Sequence, residues 1–206
     1  MDRMLFHGVK KLVFFSSGGA IYGNPAITPT PETAHPHPVS VYGQGKWVME
    51  SYIQFYAQSG LQSLFIRPSN VYGIRQANSG VFGLINTLLD ALIQDVPVPI
   101  FGGGVAIRDY LHVSDLMTFL QMAIRKDAQG VYNVGSGIGQ SVSEVVNLVE
   151  KTVGKSLKKE QMPARPFDVD RIVLDITKAR TELGWNPKVA MEDGIREMWD
   201  FKRRNA

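Results

Sequence analysis

Tyr42 and Lys46 stand four residues apart in Tyr42-Gly43-Gln44-Gly45-Lys46. On a helix of about 3.6 residues per turn, this spacing puts a phenol and an ammonium on one face. An ammonium beside a phenol favours the phenolate, so Tyr42 is a candidate proton acceptor and Lys46 the group that tunes it. Tyr-x-x-x-Lys alone is a common pattern in helices, and its meaning depends on what surrounds it. Ahead of it, the strand-like run Lys11-Leu12-Val13-Phe14-Phe15 leads into Ser16-Ser17-Gly18-Gly19-Ala20-Ile21-Tyr22-Gly23. This adds the hydroxyl of Ser17 as a second candidate.

The elements that must position these groups follow from periodicity and breakers. A short helix end over Asp2 to His7 turns at Gly8 into the strand at Lys11 to Phe15. Prolines from Pro25 to Pro38 make a long loop. Val41 to Ser59 reads as a helix closed by Gly60, and Leu61 to Ile66 as a strand stopped by Arg67-Pro68. A helix over Val81 to Gln94 and a strand at Val98 to Phe101 come next, then a short strand around Leu111 and Val113. Further on stand a helix from Ser114 to about Lys126, a strand at Val131 to Val134 and a helix from Ser143 to Val153. The end of the chain offers a strand at Ile172 to Leu174 and helices from Thr177 to Leu183 and from Met191 onward. Alternation of strands and helices in the first third predicts a parallel sheet in an α/β fold, with a smaller mixed lobe behind it.

Composition narrows the chemistry. With 206 residues, 44% hydrophobic and 20% charged, the chain can bury a real core. There is no cysteine, which excludes disulfides, thiolate metal sites and cysteine nucleophiles. His35 and His37 sit in the proline-rich loop without carboxylates at ligand spacing, so no metal is expected. The net charge of +3 is dispersed, and the terminal Lys202-Arg203-Arg204 reads as a solvated helix end rather than a nucleic-acid patch. A mildly basic cleft suits an anionic small molecule. No apolar run is long enough for a membrane span and no signal peptide opens the chain, so a cytoplasmic location is expected. No Gly-x-Gly-x-x-Gly fingerprint occurs in the required strand–turn–helix context; Gly102-Gly103-Gly104 and Gly135-Ser136-Gly137-Ile138-Gly139 do not supply it.

Six motifs in order carry a resemblance. They are Ser-Ser-x-x-x-Ile-Tyr-Gly, Tyr-x-x-x-Lys, Arg67-Pro68-Ser69-Asn70-Val71-Tyr72-Gly73, Arg108-Asp109-Tyr110-Leu111-His112-Val113-x-Asp115, Tyr132-Asn133-Val134-Gly135 and Leu183-Gly184-Trp185-x-Pro187. Together they resemble the extended short-chain dehydrogenase/reductases, and within them the NAD-dependent nucleotide-sugar epimerases and dehydratases of the UDP-glucose 4-epimerase group. The resemblance implies a Rossmann-type parallel sheet plus a small mixed α/β substrate lobe. Residues 1–75 would form part of the Rossmann domain. Residues 76–206 would form mainly the nucleotide-sugar lobe, with segments returning to the sheet. It also implies that this chain begins about a third of the way into the family's fold, after the pyrophosphate-binding glycines.

The same resemblance implies roles. Tyr42 would be the catalytic base, and Lys46 would tune it and bond the nicotinamide ribose of NAD. Aligned on Tyr22-Gly23, the family's catalytic hydroxyl falls on Gly18, so either Ser17 takes the role through a local shift or the hydroxyl is lacking. A serine that only caps backbone groups is the rival reading of Ser17. Asn70 would contact substrate; a turn-tolerant asparagine before Gly73 is its plain reading. Arg108 would clamp the diphosphate, against a surface ion pair with Asp109. Arg165 and Asp168 would hold phosphate and uridine ribose, although Phe167 replaces the family's glycine. Gly19 and Ala20 stand where the 4,6-dehydratases carry Asp-Glu, which disfavours dehydration. Tyr132, Leu183 and Trp185 read as core.

The implied reaction is transient C4 oxidation of a UDP-hexose. A reductase or decarboxylase of the same family, or a nucleotide-sugar-binding fragment inactive alone, are the alternatives. The strand at Lys11 to Phe15 and the strand near Leu64 are expected to expose a sheet edge and an apolar face, which predicts association. By analogy the helix Val41 to Ser59 leads a homodimer interface, with Val81 to Gln94 second.

Overall fold

Helix α1 (Asp2–Phe6) turns at Gly8 into strand β1 (Lys11–Phe15), and β1 leads directly into the one-turn helix α2 (Gly18–Ile21). The structure is a computed structural model and describes residues 1–76, 83–165 and 168–205. The proline-rich segment then crosses to α3 (Val41–Phe55), whose last turn tightens into a 3₁₀ turn over Tyr56–Ser59. Gly60, at φ 87°, ends it in the left-handed conformation that a side chain would resist. Strands β2 (Gln62–Pro68) and β3 (Asn70–Tyr72), helix α4 (Leu84–Gln94), and strands β4 (Val98–Phe101) and β5 (Ile107–His112) follow. Then come α5 (Val113–Arg125), β6 (Gly130–Val134), β7 (Gly139–Ser141) and α6 (Val142–Val153). The chain ends with β8 (Lys159–Met162), β9 (Arg171–Ile172), α7 (Thr177–Leu183) and α8 (Met191–Asn205).

The principal sheet is parallel, in the order β1-β2-β6. Its central strand is apolar on both faces, with Leu64, Phe65 and Ile66 all buried; the exposure expected near Leu64 is not found, because β1 and β6 flank this strand on both sides. β1 has one partner among the described residues and is only half buried. A second sheet pairs β3, β5, β7 and β9, and a third pairs β4 with β8. One apolar cluster joins the principal sheet to α5, α7 and Trp185. The other joins α4, α6 and α8. Tyr132, Leu183 and Trp185 are all buried, and Trp185 donates its indole N–H to the Asp115 carbonyl at 3.1 Å.

Several boundaries differ from the sequence reading, two of them with a clear physical reason. Arg67-Pro68 does not stop β2: Arg67 and Pro68 stay in register with Asn133 and Val134, and the ladder continues through the Ser69 N–H to the Val134 carbonyl. A proline at the last strand position removes a donor that the next residue replaces. Helix α5 starts at Val113, not Ser114, and its N-cap is His112, whose ring accepts from the Ser114 N–H. The expected helix from Val81 is described from Leu84; residues 81 and 82 lie outside the described residues.

Candidate functional site

β1 and β2 are parallel, and their carboxyl ends open on a cleft of about 670 Å³. Ser17, Tyr42, Asn70, Arg108, Arg165 and Asp168 all line it. These six come from five separated segments, so the fold and not chain proximity gathers them.

Tyr42 lies in the first turn of α3. The turn is fixed by Ser40, whose hydroxyl accepts the Gly43 N–H at 3.1 Å. Gly43 lets the helix approach α2: a Cβ there would stand 2.4 Å from the Ala20 carbonyl oxygen. The Tyr42 side chain is half exposed on the cleft. Lys46 lies one turn on. Its ammonium is 5.7 Å from the Tyr42 ring centroid and donates to the Phe15 carbonyl at 2.8 Å. Lys46 is thereby fastened to the end of β1 beside Tyr42, and it is the one predicted site residue outside the cleft lining.

At the serine motif the two neighbours divide. Gly18 is buried, and a Cβ there would meet a Leu174 methyl at 2.6 Å and the Arg67 carbonyl at 2.9 Å. A hydroxyl-bearing side chain has no room at that position. Ser17 precedes α2 and lines the cleft, and its side chain makes no cap bond to the helix. Gly19 packs against Asn70: a Cβ would fall 2.8 Å from the Asn70 amide oxygen.

Arg108 and Tyr110 alternate along β5 and both line the cleft, while Asp109 between them points the other way. Asp109 accepts from the Ser136 N–H and hydroxyl, each at 2.7 Å, from the Gly137 N–H at 3.1 Å and from the Leu174 N–H at 3.3 Å. It ties down the Gly135-Ser136-Gly137 turn and makes no bond with Arg108. Burial raises the Asp109 carboxyl above its ordinary value, against the lowering pull of these donors. Burial pulls the Arg108 guanidinium downward while Tyr110, Asp168 and Asp170 oppose the shift; a guanidinium keeps its charge across such changes. The Tyr110 phenol is pushed up to about 12 by burial. Arg165 stacks over the Phe101 ring at 4.4 Å and pairs with Asp168 at 2.9 Å, Nε to Oδ2. Phe167 lies outside the described residues.

Two further features were missed from the sequence. Helix α4 opens on this cleft: Gly83, Leu84 and Ile85 line it, and the Gly83 N-cap supplies no side-chain acceptor. This puts the helix start in one cleft with the guanidinium groups of Arg108 and Arg165. The only sequence signal was the glycine before an apolar run, which marks a boundary but not what faces it. The other feature is a buried network in which Arg67 binds Glu50, and Tyr22 receives a bond from Arg67 and donates to Asn133, each at 2.8 Å. No group of three metal-ligating side chains is found among the described residues.

The chain is similar to known proteins in sequence and in fold. The family model of GDP-mannose 4,6 dehydratase matches residues 2–198. A putative UDP-glucose 4-epimerase of Methanocaldococcus jannaschii is 34% identical over 206 residues, covering 100% of this chain and 67% of the relative. The crystal structure of UDP-glucose 4-epimerase from Thermotoga maritima with UDP-glucose superposes with a TM-score of 0.94 at 37% identity, covering 99% of this chain and 67% of that one. That of the Thermus thermophilus UDP-glucose 4-epimerase in complex with NAD gives 0.93 at 35% identity, covering 100% and 68%. The chain thus spans about two thirds of the length of its relatives, 64% for the epimerase of Mycolicibacterium smegmatis.

Proposed function

This chain belongs to the GDP-mannose 4,6-dehydratase family, and from that premise we propose that its cleft binds a UDP-hexose as in an NAD-dependent UDP-glucose 4-epimerase. The observation that carries the reading is the convergence of Ser17, Tyr42, Asn70, Arg108, Arg165 and Asp168 on one cleft. Arg108 and Arg165 take the diphosphate, since guanidinium forks match paired phosphate oxygens. Asp168, oriented by Arg165, takes a ribose hydroxyl. Asn70 orients the hexose.

Tyr42 removes the proton from the hexose C4 hydroxyl, with the Lys46 ammonium 5.7 Å from its ring centroid, and Ser17 bonds the same oxygen. Gly18 leaves no room for a second hydroxyl, so Ser17 is the one assigned. The family implies NAD, and the residues fit it at one end: Lys46, fastened at the close of β1 beside Tyr42, carries an ammonium that would bond a nicotinamide ribose hydroxyl. NAD, when bound, supplies the hydride acceptor and donor that make C4 inversion feasible. The sequence has no Gly-x-Gly-x-x-Gly for the pyrophosphate, so binding of the nucleotide sugar is expected of this chain by itself and turnover is not.

A homodimer is part of the same reading. The outer face of α3 exposes Val48, Tyr52 and Phe55 at helical spacing, as an interface helix would. A cytoplasmic location goes with it; no helix among the described residues is long and apolar enough to cross a membrane.

Native mass spectrometry of the chain with UDP-glucose, UDP-N-acetylglucosamine and NAD tests the proposal. A UDP-sugar adduct, lost in Arg108→Ala, is the expected result. An NAD adduct accompanied by epimer formation would make the chain an enzyme in its own right. A chain that takes up no UDP-sugar at micromolar to millimolar concentration would sink the reading.

A further inference from the structure

His112 belongs to a motif that the proposed chemistry leaves unused, yet it touches the cleft wall. It is the register partner of Tyr72 across β3 and β5, and the two rings meet edge-on at 5.3 Å. Tyr72 is buried and its inner side lines the cleft. The imidazole therefore supports a wall residue from behind.

Two elements hold the imidazole itself. On one side, Nδ1 accepts the Ser114 backbone N–H at 3.4 Å and lies 2.8 Å from the Ser114 hydroxyl. In the neutral ring, that leaves the proton on Nε2. On the other side, Nε2 is 3.2 Å from Glu197 Oε2 on α8. The oxygen lies off the N–H direction and makes no full hydrogen bond, so a charge–dipole contact joins the two. His112 is 4% exposed, whereas the Glu197 side chain is 48% exposed and reaches in from the surface.

Helix α8 also touches Tyr72 directly. Gly194, one turn before Glu197, lies flat on both rings. A Cβ there would stand 2.7 Å from the Tyr72 ring edge and hydroxyl, and 3.0 Å from His112 Cδ2. Nothing but a hydrogen fits between the α8 backbone and the wall of the cleft. Interfaces packed this closely shift as units rather than deform.

We propose that Glu197 and His112 are a positioning pair that seats the C-terminal helix on Tyr72 and thereby sets the cleft wall that a nucleotide sugar meets. The substrate class rests on the function proposed above; the seating of Tyr72 does not. Because α8 and the cleft share Tyr72, ligand binding and the docking of α8 are thermodynamically linked, each strengthening the other.

The test uses the full chain carrying 13C-labelled tyrosine, with the Tyr72 resonance assigned through Tyr72→Phe. Glu197→Ala removes the contact from a half-exposed site without opening the core. Gly194→Ala drives a methyl group against the Tyr72 ring. Both variants are expected to move the Tyr72 ring resonance and to weaken UDP-glucose binding about five-fold. A Tyr72 resonance unmoved by Glu197→Ala overturns the pair. So does wild-type affinity for UDP-glucose in both variants. If the wild-type chain takes up no UDP-glucose, the proposed function fails, and the Tyr72 resonance alone then decides the positioning role.

Discussion

Glu50 and Arg67 meet in a two-pronged ion pair inside the protein, Nε to Oε1 at 3.0 Å and Nη2 to Oε2 at 2.6 Å. Their side chains are 2% and 6% exposed. Glu50 lies on α3 eight residues past Tyr42, and Arg67 lies near the end of β2, three residues before Asn70. The pair therefore ties the helix that carries Tyr42 to the strand that leads to Asn70. The remaining guanidinium nitrogen is also used, donating to the Tyr22 hydroxyl at 2.8 Å and to the Glu32 carbonyl at 3.4 Å.

Removing one partner strands the other charge away from water. Glu50→Ala is expected to cost about 3 kcal/mol of stability in urea denaturation, because Arg67 keeps its burial and loses its carboxylate. A loss below about 1 kcal/mol would mean that water reaches Arg67 and that the pair does not anchor α3.

The two glycines between Tyr42 and Lys46 should answer oppositely to the same change. Gly43→Ala puts a methyl 2.4 Å from the Ala20 carbonyl oxygen, so α3 must lift off α2. A loss of about 1–3 kcal/mol is expected, together with weakened ligand binding as Tyr42 moves. Gly45 is exposed, and a Cβ there meets nothing within 4 Å. Gly45→Ala should stabilise by about 0.5–1 kcal/mol through helix propensity alone. Thermal melts of the two variants side by side decide the matter, and shifts of equal sign would contradict the packing described.

The contrast between those glycines shows what a sequence can and cannot say. Tyr42 and Lys46 are legible because helical spacing fixes their common face whatever surrounds them. Arg108 is legible as a candidate phosphate ligand by residue type, and strand alternation explains why Asp109 turns away from it. Gly43 and Gly45 look alike in sequence; only the position of the Ala20 carbonyl distinguishes them. Glu50 and Arg67 pair across elements, so no local pattern announces them, and Arg67-Pro68 even reads as a strand end. That α4 begins on the cleft is likewise invisible, since a helix boundary does not reveal what lies opposite. His112 as an N-cap was hidden behind Ser114, the residue type expected for the role.

Helix α6 carries a pH-sensitive start. The Ser141 hydroxyl accepts the Glu144 N–H at 3.1 Å, and Glu144 returns to the Ser141 N–H at 2.7 Å. These bonds hold the Glu144 carboxyl below its ordinary value of 4.5. A depressed carboxyl stabilises the fold above its unfolded value, and that contribution disappears as pH falls through the folded one. Ser141→Ala is expected to cost about 1 kcal/mol at neutral pH. Glu144→Gln should flatten the decline in stability as the solution is acidified below pH 4.5. Parallel acid titrations of stability for wild type and Glu144→Gln would refute the capping contribution.

Binding and proton transfer should separate by residue. Arg108 and Arg165 face the cleft with charges that no proton step requires, while Tyr42 faces it with a group that phosphate does not need. Arg108→Ala and Arg165→Ala are each expected to weaken UDP binding by about 10–100-fold, the loss of one charge-assisted contact. Arg165→Ala also frees Asp168 from its 2.9 Å partner, so its effect should extend to discrimination between UDP and pyrophosphate. Tyr42→Phe keeps the ring and its packing and should leave UDP affinity within about two-fold of wild type. Salt offers the internal control: with a Debye length of about 10 Å at 0.1 M, raising ionic strength should erode wild-type UDP affinity more than that of Arg108→Ala. Titration calorimetry of the three variants at two salt concentrations measures all of this. UDP affinity lost in Tyr42→Phe and kept in Arg108→Ala would reverse the assignment of the two ends of the cleft.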